Sequence, residues 1–516
     1  MSPDPVRLEI FNNLYQFIAE QMGIVLQNTA TSVNIKERLD FSCAIFDRHG
    51  SLVANAPHIP VHLGSMSASV ISLIKDLGNT ILPGNVYLSN NPYNGGTHLP
   101  DTTVITPVFS DRDSNSPIFY VASRGHQADI GGITPGSMPP HSQTIEEEGI
   151  LFDNFLLVKE GIFRETILRE KLKNSKYPAR NIEVNIADFQ AQIAANNRGE
   201  KELLKTIDHY SLETVLAYMQ FVQDNAARAV ETAILSLKDG KFSCTMDNGA
   251  TIKVKVTIDR QNCQAIIDFT GTSPQLDNNF NAPTAVCQAA ILYVFRTLVK
   301  DNIPLNAGCL KPLKIIIPSG CMLDPQYPAA VVAGNVETSQ NITDCLYGAL
   351  GIMAASQGTM NNFTFGNNKY QYYETICGGS GAGANFHGTD AVQTQMTNSR
   401  LTDPEILELR FPVILEEFSI RKNSGGKGIN QGGNGTVRKI RFLEPMTAGI
   451  LSNRRRVLPF GLAGGEAGKT GKNYIQTSNN TIKKLDSKAT VKINSHDTFV
   501  IETPGGGGYG KDKTVD

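Results

Sequence analysis

The sequence contains no Cys-x-x-Cys pair. Its eight cysteines are scattered from Cys43 to Cys377, so neither a disulfide framework nor a thiolate zinc site follows from their spacing. It also lacks any excess of one charge: 47 Lys and Arg against 49 Asp and Glu leave a formal net charge of -2, too little to gather nucleic acid or anionic lipid. No apolar run approaches the roughly 18 residues that a membrane span needs. The start Met1-Ser2-Pro3-Asp4-Pro5 is turn-like, with no cationic stretch leading into an apolar one. The expectations are reduced thiols, a cytoplasmic protein, and no nucleic-acid or membrane partner. The one dense basic cluster, Arg454-Arg455-Arg456, reads as a solvated or salt-bridged face.

What is present is ordinary for a packed protein, with 41% hydrophobic and 19% charged residues over 516 positions. That length predicts two or three domains. Helical spacing marks a first helix from Pro5 through Ile10, Leu14, Phe17 and Ile18. Residues 41–55 read as a hairpin turning at Asp47 to Gly50, and 64–77 as a second helix. Three short β runs follow at 86–89, 103–109 and 118–122. Residues 183–238 are the most helical tract, closed by Gly240. Strands are predicted at 252–258 and 265–269, and helices at 283–298 and 344–355. Beyond about 423, glycine pairs separate short β runs. The predicted fold is α+β: mixed sheets with helices, divided as 1–240, 241–420 and a Gly-rich β domain at 421–516.

Three glycine-rich stretches imitate nucleotide loops. Gly464-Gly465-Glu466-Ala467-Gly468-Lys469-Thr470 has three residues between Gly464 and Gly468 where a phosphate loop needs four. Gly379-Ser380-Gly381-Ala382-Gly383-Ala384 has no helical pattern after it, and Gly505 to Gly508 lies almost at the end of the sequence. All three read as turns or close backbone approaches, so no standard ATP loop is expected here.

The chemistry concentrates elsewhere. Five of the nine histidines fall between His58 and His141. His98-x-x-Asp101 ends one polar loop and His126-x-x-Asp129 opens another, both beside β runs, where side chains from separate strands converge. Two imidazoles and a carboxylate suit zinc, manganese or iron and leave positions open. Spacing alone leaves open the alternative that these residues cap turns. Asp129 offers a further ligand or a carboxylate that fixes an imidazole tautomer. His58 and His62, in Pro57-His58-Ile59-Pro60-Val61-His62, read either as packed histidines or as proton carriers beside the metal.

These same residues carry a family resemblance. Asn34-Ile35-Lys36-Glu37-Arg38-Leu39-Asp40-Phe41, Asn55-Ala56-Pro57-His58-Ile59-Pro60-Val61-His62, Ser123-Arg124-Gly125-His126 through His141-Ser142, Gly334-Asn335-Val336-Glu337-Thr338-Ser339-Gln340, Tyr372-Tyr373-Glu374-Thr375, Met396-Thr397-Asn398 and the terminal Thr503-Pro504-Gly505 to Gly510 resemble the hydantoinase B/oxoprolinase family. The likeness is to the C-terminal, B-type half of ATP-dependent 5-oxoprolinases. It implies a hetero-oligomer in which a hydantoinase A-type partner binds ATP and phosphorylates the lactam oxygen. The B-type chain then opens the ring with a metal-activated water, giving glutamate from 5-oxoproline. Carboxylase alpha subunits resemble the chain too, and their metal pattern falls on His98, Asp101 and His126. Arg124, Asn335, Glu337 and Ser339 are the expected substrate-facing residues, the last three alternatively capping the helix that follows. The chain departs from the family in having Gln393 and Gln395 where oxoprolinases usually show histidines, which leaves the substrate open. The alternatives are an N-methylhydantoin-type hydrolase, a metal-dependent carboxylase subunit, and a non-catalytic scaffold for the ATPase.

Overall fold

The structure, a computed structural model, describes residues 2–110, 116–300 and 303–511. Helix α1 (Pro5–Thr29) begins where Asp4 accepts a hydrogen bond from the Arg7 amide at 2.9 Å, and Pro5 fits the first turn, where no amide donor is needed. The short α2 (Val33–Lys36) follows. Next come β1 (Phe41–Asp47), β2 (Leu52–Asn55), α3 (Pro60–Leu77), β3 (Val86–Ser89), β4 (Asp101–Val108), β5 (Phe119–His126), β6 (Phe155–Lys159) and β7 (Ile162–Phe163). These strands form one antiparallel seven-stranded sheet in the order β2-β1-β5-β4-β3-β6-β7.

Both faces of this sheet are covered. Cys43, Ile45 and Val121 pack with Phe11, Tyr15, Met22 and Leu26 of α1. The alternate residues Ala44, Phe46, Tyr120 and Ala122 pack with Met66, Val70 and Leu73 of α3. A strand buried on both sides has no polar face, so β4 and β5 show little alternation in sequence. The run expected at 118–122 is a strand to His126, and the helix expected from 64 starts at Pro60.

After α4 (Glu165–Lys173), the long helical tract is two helices, α5 (Ile182–Tyr210) and α6 (Leu212–Leu235), broken at Ser211 with φ of 74°. Gly240 does not close the tract as expected; it opens β8 (Gly240–Thr245). With β9 (Thr251–Asp259), β10 (Gln264–Asp268) and β11 (Leu313–Ile316) it forms a second sheet, packed by α7 (Thr284–Thr297) and α8 (Ser339–Leu350). A side chain at Gly64 of α3 would put its Cβ 2.4 Å from the Ala289 Cα of α7, so these helices meet backbone to backbone. Gly64→Val is therefore expected to destabilise the protein by about 1–3 kcal/mol, read from the urea midpoint. A loss below about 0.5 kcal/mol would mean that the crossing is not tight.

The remaining elements are β12 (Asn362–Gly366), β13 (Gln371–Glu374), α9 (Pro404–Arg410), β14 (Val413–Arg421), β15 (Gly435–Phe442), β16 (Met446–Leu451), β17 (Lys472–Gln476), β18 (Ile482–Leu485), β19 (Lys488–Ile493) and β20 (Thr498–Glu502). They make two sheets, β13-β12-β16-β19 and β14-β15-β20-β17-β18, joined by a core that includes Phe363, Phe365, Phe442 and Phe499. The first of these takes strands from both sides of residue 420. The fold is α+β, with helices and several sheets packed together.

The glycine-rich stretches are threaded against one another. Gly506 donates to the Gly433 carbonyl at 2.9 Å, Gly507 to Ala355 at 2.8 Å, and a Cβ at Gly506 would lie 1.9 Å from the Ser380 carbonyl oxygen. Protein backbone fills the space where a phosphate would have to sit. The arginine run is salt-bridged, as expected, but not a single solvated face: Arg454 is buried, 3.5 Å from Asp344, and only Arg456 of the three is exposed, paired with Asp486 at 2.5 Å. None of the eight cysteines is in a disulfide.

Candidate metal centre

Asp101 is the first residue of β4 and His126 the last of β5, and antiparallel pairing sets them directly opposite one another. Cross-strand partners on one face stand about 5 Å apart. His98 comes from the turn before β4, where the Asp101 amide donates to the His98 carbonyl at 3.2 Å. That turn is pinned by Asn90, whose amide nitrogen donates to Leu99 O at 2.7 Å and to Ile150 O at 2.9 Å. Among the described residues, His98, Asp101 and His126 each offer a ligand atom within 4.8 Å of the others, and all three are buried.

The Asp101 carboxylate is the hub. Its Oδ2 accepts from Thr97 Oγ1 at 3.0 Å and from Asn335 Nδ2 at 3.1 Å; His98 Nε2 lies 3.1 Å and His62 Nε2 3.2 Å from the same oxygen. Oδ1 meets His126 Nδ1 at 3.1 Å. Burial alone would raise this carboxyl, but the His62 and His98 rings and hydrogen bonds from His126 and His62 outweigh it, holding it well below the usual carboxylate range. His126 is lowered by burial despite the pull of Asp101 and Asp40, so its imidazole is neutral at pH 7, the form that can ligate.

The residues fit a divalent cation. The His98 nitrogen crowds the carboxylate at an angle that makes no hydrogen bond. Neither nitrogen of His98, nor Nε2 of His126, has any hydrogen-bond partner although all are buried. Buried polar atoms left unpaired are costly, and a shared cation would satisfy this mixed N/O set.

The other expected site residues fall into two groups. His62, in the first turn of α3, and Asn335 join the centre. Ser42 Oγ accepts the Ile59 amide and lies 3.3 Å from His62 Nδ1, while His62 Nε2 faces the Asp101 carboxylate at 3.2 Å, an acceptor that favours the ring proton on Nε2. Asn335 lies on a π-helical turn, Gly334–Thr338, that leads into α8; such wide turns gather at functional sites. Glu337 on the same turn has Oε1 bound by the Met360 amide at 3.0 Å and Asn362 Nδ2 at 2.6 Å, while Oε2 has no hydrogen-bond partner. Burial pushes its carboxyl up to about 8, against smaller opposing effects from Thr359, Met360 and Arg455.

The second group is taken up with holding the scaffold. Ser339 spends its hydroxyl on the Asn335 carbonyl at 2.6 Å. Arg124 is wholly buried and donates to Thr103, Ser65 and Ser69 hydroxyls at 2.6 to 2.9 Å, which ties the sheet to α3. Asp129 turns away from the imidazoles: it accepts from the Gly131, Gly136 and Arg180 amides and from Arg180 Nη1 at 2.8 Å, organising its own loop. His58 accepts the Cys43 amide on Nδ1 at 3.0 Å and packs edge-on to Phe41; burial and the nearby His62 lower it to about 3. Gln395 accepts from Thr343 at 2.8 Å and donates to Asp344 at 2.5 Å, and Gln393 donates to Thr375. Both brace neighbouring segments rather than the trio.

Two neighbours were missed in sequence. Tyr373 stacks on His126 at 4.6 Å and donates to Asn362 Oδ1 at 2.8 Å, linking the histidine to Glu337 through Asn362. Glu148, buried and raised to about 7, accepts from Val331 and Val332 amides at 3.0 Å and its charge reaches His98. Glu148 stands in the acidic run Glu146-Glu147-Glu148, where nothing marks it as the buried one.

A family model described as Hydantoinase B/oxoprolinase matches residues 4–512. 5-Oxoprolinase 1 of Arabidopsis thaliana is 49% identical over 531 residues, covering 98% of this chain and 42% of that protein. The chain thus spans about two fifths of the length of the curated oxoprolinases it matches, and the match is to their C-terminal half. Among solved structures, the ATP-dependent caprolactamase from Pseudomonas jessenii superposes with a TM-score of 0.88 at 23% identity, covering 99% of this chain and 92% of that one. An acetone carboxylase superposes with a TM-score of 0.86 at 16% identity, covering 98% and 76%. Both share the fold.

Proposed function

Because this chain belongs to the hydantoinase B/oxoprolinase family, we propose that it is the ring-opening half of an ATP-dependent cyclic-amide hydrolase, acting on 5-oxoproline and releasing glutamate. ATP is used by an A-type polypeptide, separate or fused. The observation that carries this reading is the buried trio of His98, Asp101 and His126, with unpaired imidazole nitrogens around a carboxylate held ionised. A scaffold would gain nothing from such a costly arrangement.

An unstrained amide is a poor electrophile. Transfer of the ATP γ-phosphoryl group to the lactam oxygen makes the ring carbon attackable. Water then adds there and the C–N bond breaks, with a proton passing to nitrogen. The resulting acyl phosphate takes a second water and gives carboxylate and phosphate. A zinc, manganese or iron ion held by His98, Asp101 and His126 would lower the pKa of water at the site.

The chain's own groups divide the remaining work. Thr97, Asn335 and His62 hold Asp101 in place, and Tyr373 fixes the His126 ring. His62 is the histidine we assign to proton transfer, since its Nε2 adjoins the Asp101 carboxylate while His58 is held on the Cys43 amide. Glu337 keeps its substrate-facing assignment on its free Oε2, and as a neutral acid it can donate to the departing nitrogen. Arg124 and Ser339 act by positioning α3 and the π turn.

The test is glutamate formation from 5-oxoproline and ATP by this chain mixed with its A-type polypeptide. Glutamate is expected from the mixture and from neither component alone. Turnover of N-methylhydantoin in preference to 5-oxoproline would move the substrate assignment, and glutamate from this chain alone would refute the division of labour.

A further inference from the structure

Helix α1 is apolar on two opposite sides. Phe11, Tyr15, Ile18, Met22 and Leu26 form the buried side. Val6, Ile10, Phe17 and Ile24 are exposed, at 69%, 44%, 52% and 49%. At about 100° per residue these four lie within about 40° of one another, a single ridge about 27 Å long facing away from the core. Scattered apolar residues on a surface need no explanation, but an aligned ridge does. A helix apolar on both sides is built to be covered on both, and here only one side is covered.

The extent of the relatives indicates what covers the other. The chain matches the C-terminal half of oxoprolinases of which it spans 42%, so in those proteins the remaining part lies ahead of the segment corresponding to α1. The ridge flanks carry Asn13, Glu20 and Asn28, with no lysine or arginine among them to favour an anionic surface. We propose that the Val6-Ile10-Phe17-Ile24 ridge of α1 is the docking surface for the ATP-using half, joined to it covalently or as a separate polypeptide. This rests on the division between two halves proposed above. Its consequence is that the helix whose buried side packs on the sheet carrying Asp101 and His126 has its outer side against the ATPase.

The test uses this full chain and the polypeptide of the same source that matches the N-terminal part of the oxoprolinases, purified separately. Their affinity is measured by calorimetry for wild type, Phe17→Glu, Ile24→Glu and the off-ridge control Leu409→Glu, whose position is 87% exposed. All four should show the same melting temperature and metal content, because no substituted side chain is buried. The ridge variants should bind at least about 30-fold more weakly, as for a central apolar anchor, and the control should match wild type. Equal affinity of the ridge variants would overturn the proposal, as would a wild-type homodimer that Phe17→Glu dissociates, or no binding by wild type. Binding that depends on the ridge without lactam turnover would support the surface and count against the proposed reaction.

Discussion

Asp101→Asn is expected to empty the metal centre and abolish ring opening. The substitution keeps the side chain's size but removes its charge, and it puts an amide where Thr97 Oγ1 and Asn335 Nδ2 both donate. Thr97 Oγ1, Asn335 Nδ2 and the imidazoles of His62, His98 and His126 all crowd this carboxylate at 3.0 to 3.2 Å. An Asn there must turn its NH2 toward one of those donors or lose its place. Removing a group that merely supports a ligand costs about 10–100-fold in metal affinity, so loss of a ligand should exceed ~100-fold. After dialysis, elemental analysis should find about one metal ion per wild-type chain and less than about a tenth of that in the variant. A variant retaining its metal would show that the cation sits elsewhere.

The second large effect concerns stability. Glu374 and Arg438 form a two-pronged ion pair at 2.7 and 2.8 Å, both side chains at most 1% exposed, with the Tyr372 hydroxyl donating to Glu374 at 2.9 Å. Glu374→Gln leaves a buried guanidinium without its anion. The expected cost is about 3–5 kcal/mol, seen as a large fall in the urea midpoint. Pairing Glu374→Leu with Arg438→Met should recover most of the loss, because an apolar pair carries no desolvation penalty. Glu374 follows Tyr373, which stacks on His126, so the single variant should also bind metal more weakly. A single variant as stable as wild type would mean that water reaches Arg438.

Two helices were legible in sequence: α1 from Pro5 and its helical spacing, although Ile10 and Phe17 of that spacing are exposed, and α7 within the helix expected at 283–298. That His98, Asp101 and His126 come together was foreshadowed by His98-x-x-Asp101 and a later His126, though spacing alone left turn-capping open. The geometry was not. β4 and β5 are buried on both faces, so their pattern did not fix their ends: the runs expected at 103–109 and 118–122 stop short of Asp101 and His126, which begin and end the strands. Asn335 reaches Asp101 across 234 positions, and only the π turn brings it there. Arg124 looked free to meet substrate because its hydrogen-bond partners are neutral hydroxyls on β4 and α3, which no charge pattern reveals. That Arg454 is salt-bridged was legible, but its burial was not, because its partner Asp344 lies 110 positions away.

The division at 240 and 420 is best put as a proposal about folding order. The sheet β13-β12-β16-β19 joins chain from both sides of 420, so the last two segments should unfold as one unit.

The most direct test is anomalous diffraction from crystals of the purified, metal-replete protein, recorded at the absorption edge of the metal that elemental analysis identifies. One peak is expected at about 2.0–2.3 Å from a nitrogen of His98, an oxygen of Asp101 and a nitrogen of His126. A peak at any other cluster, or none at these residues in protein that opens the ring, would contradict it.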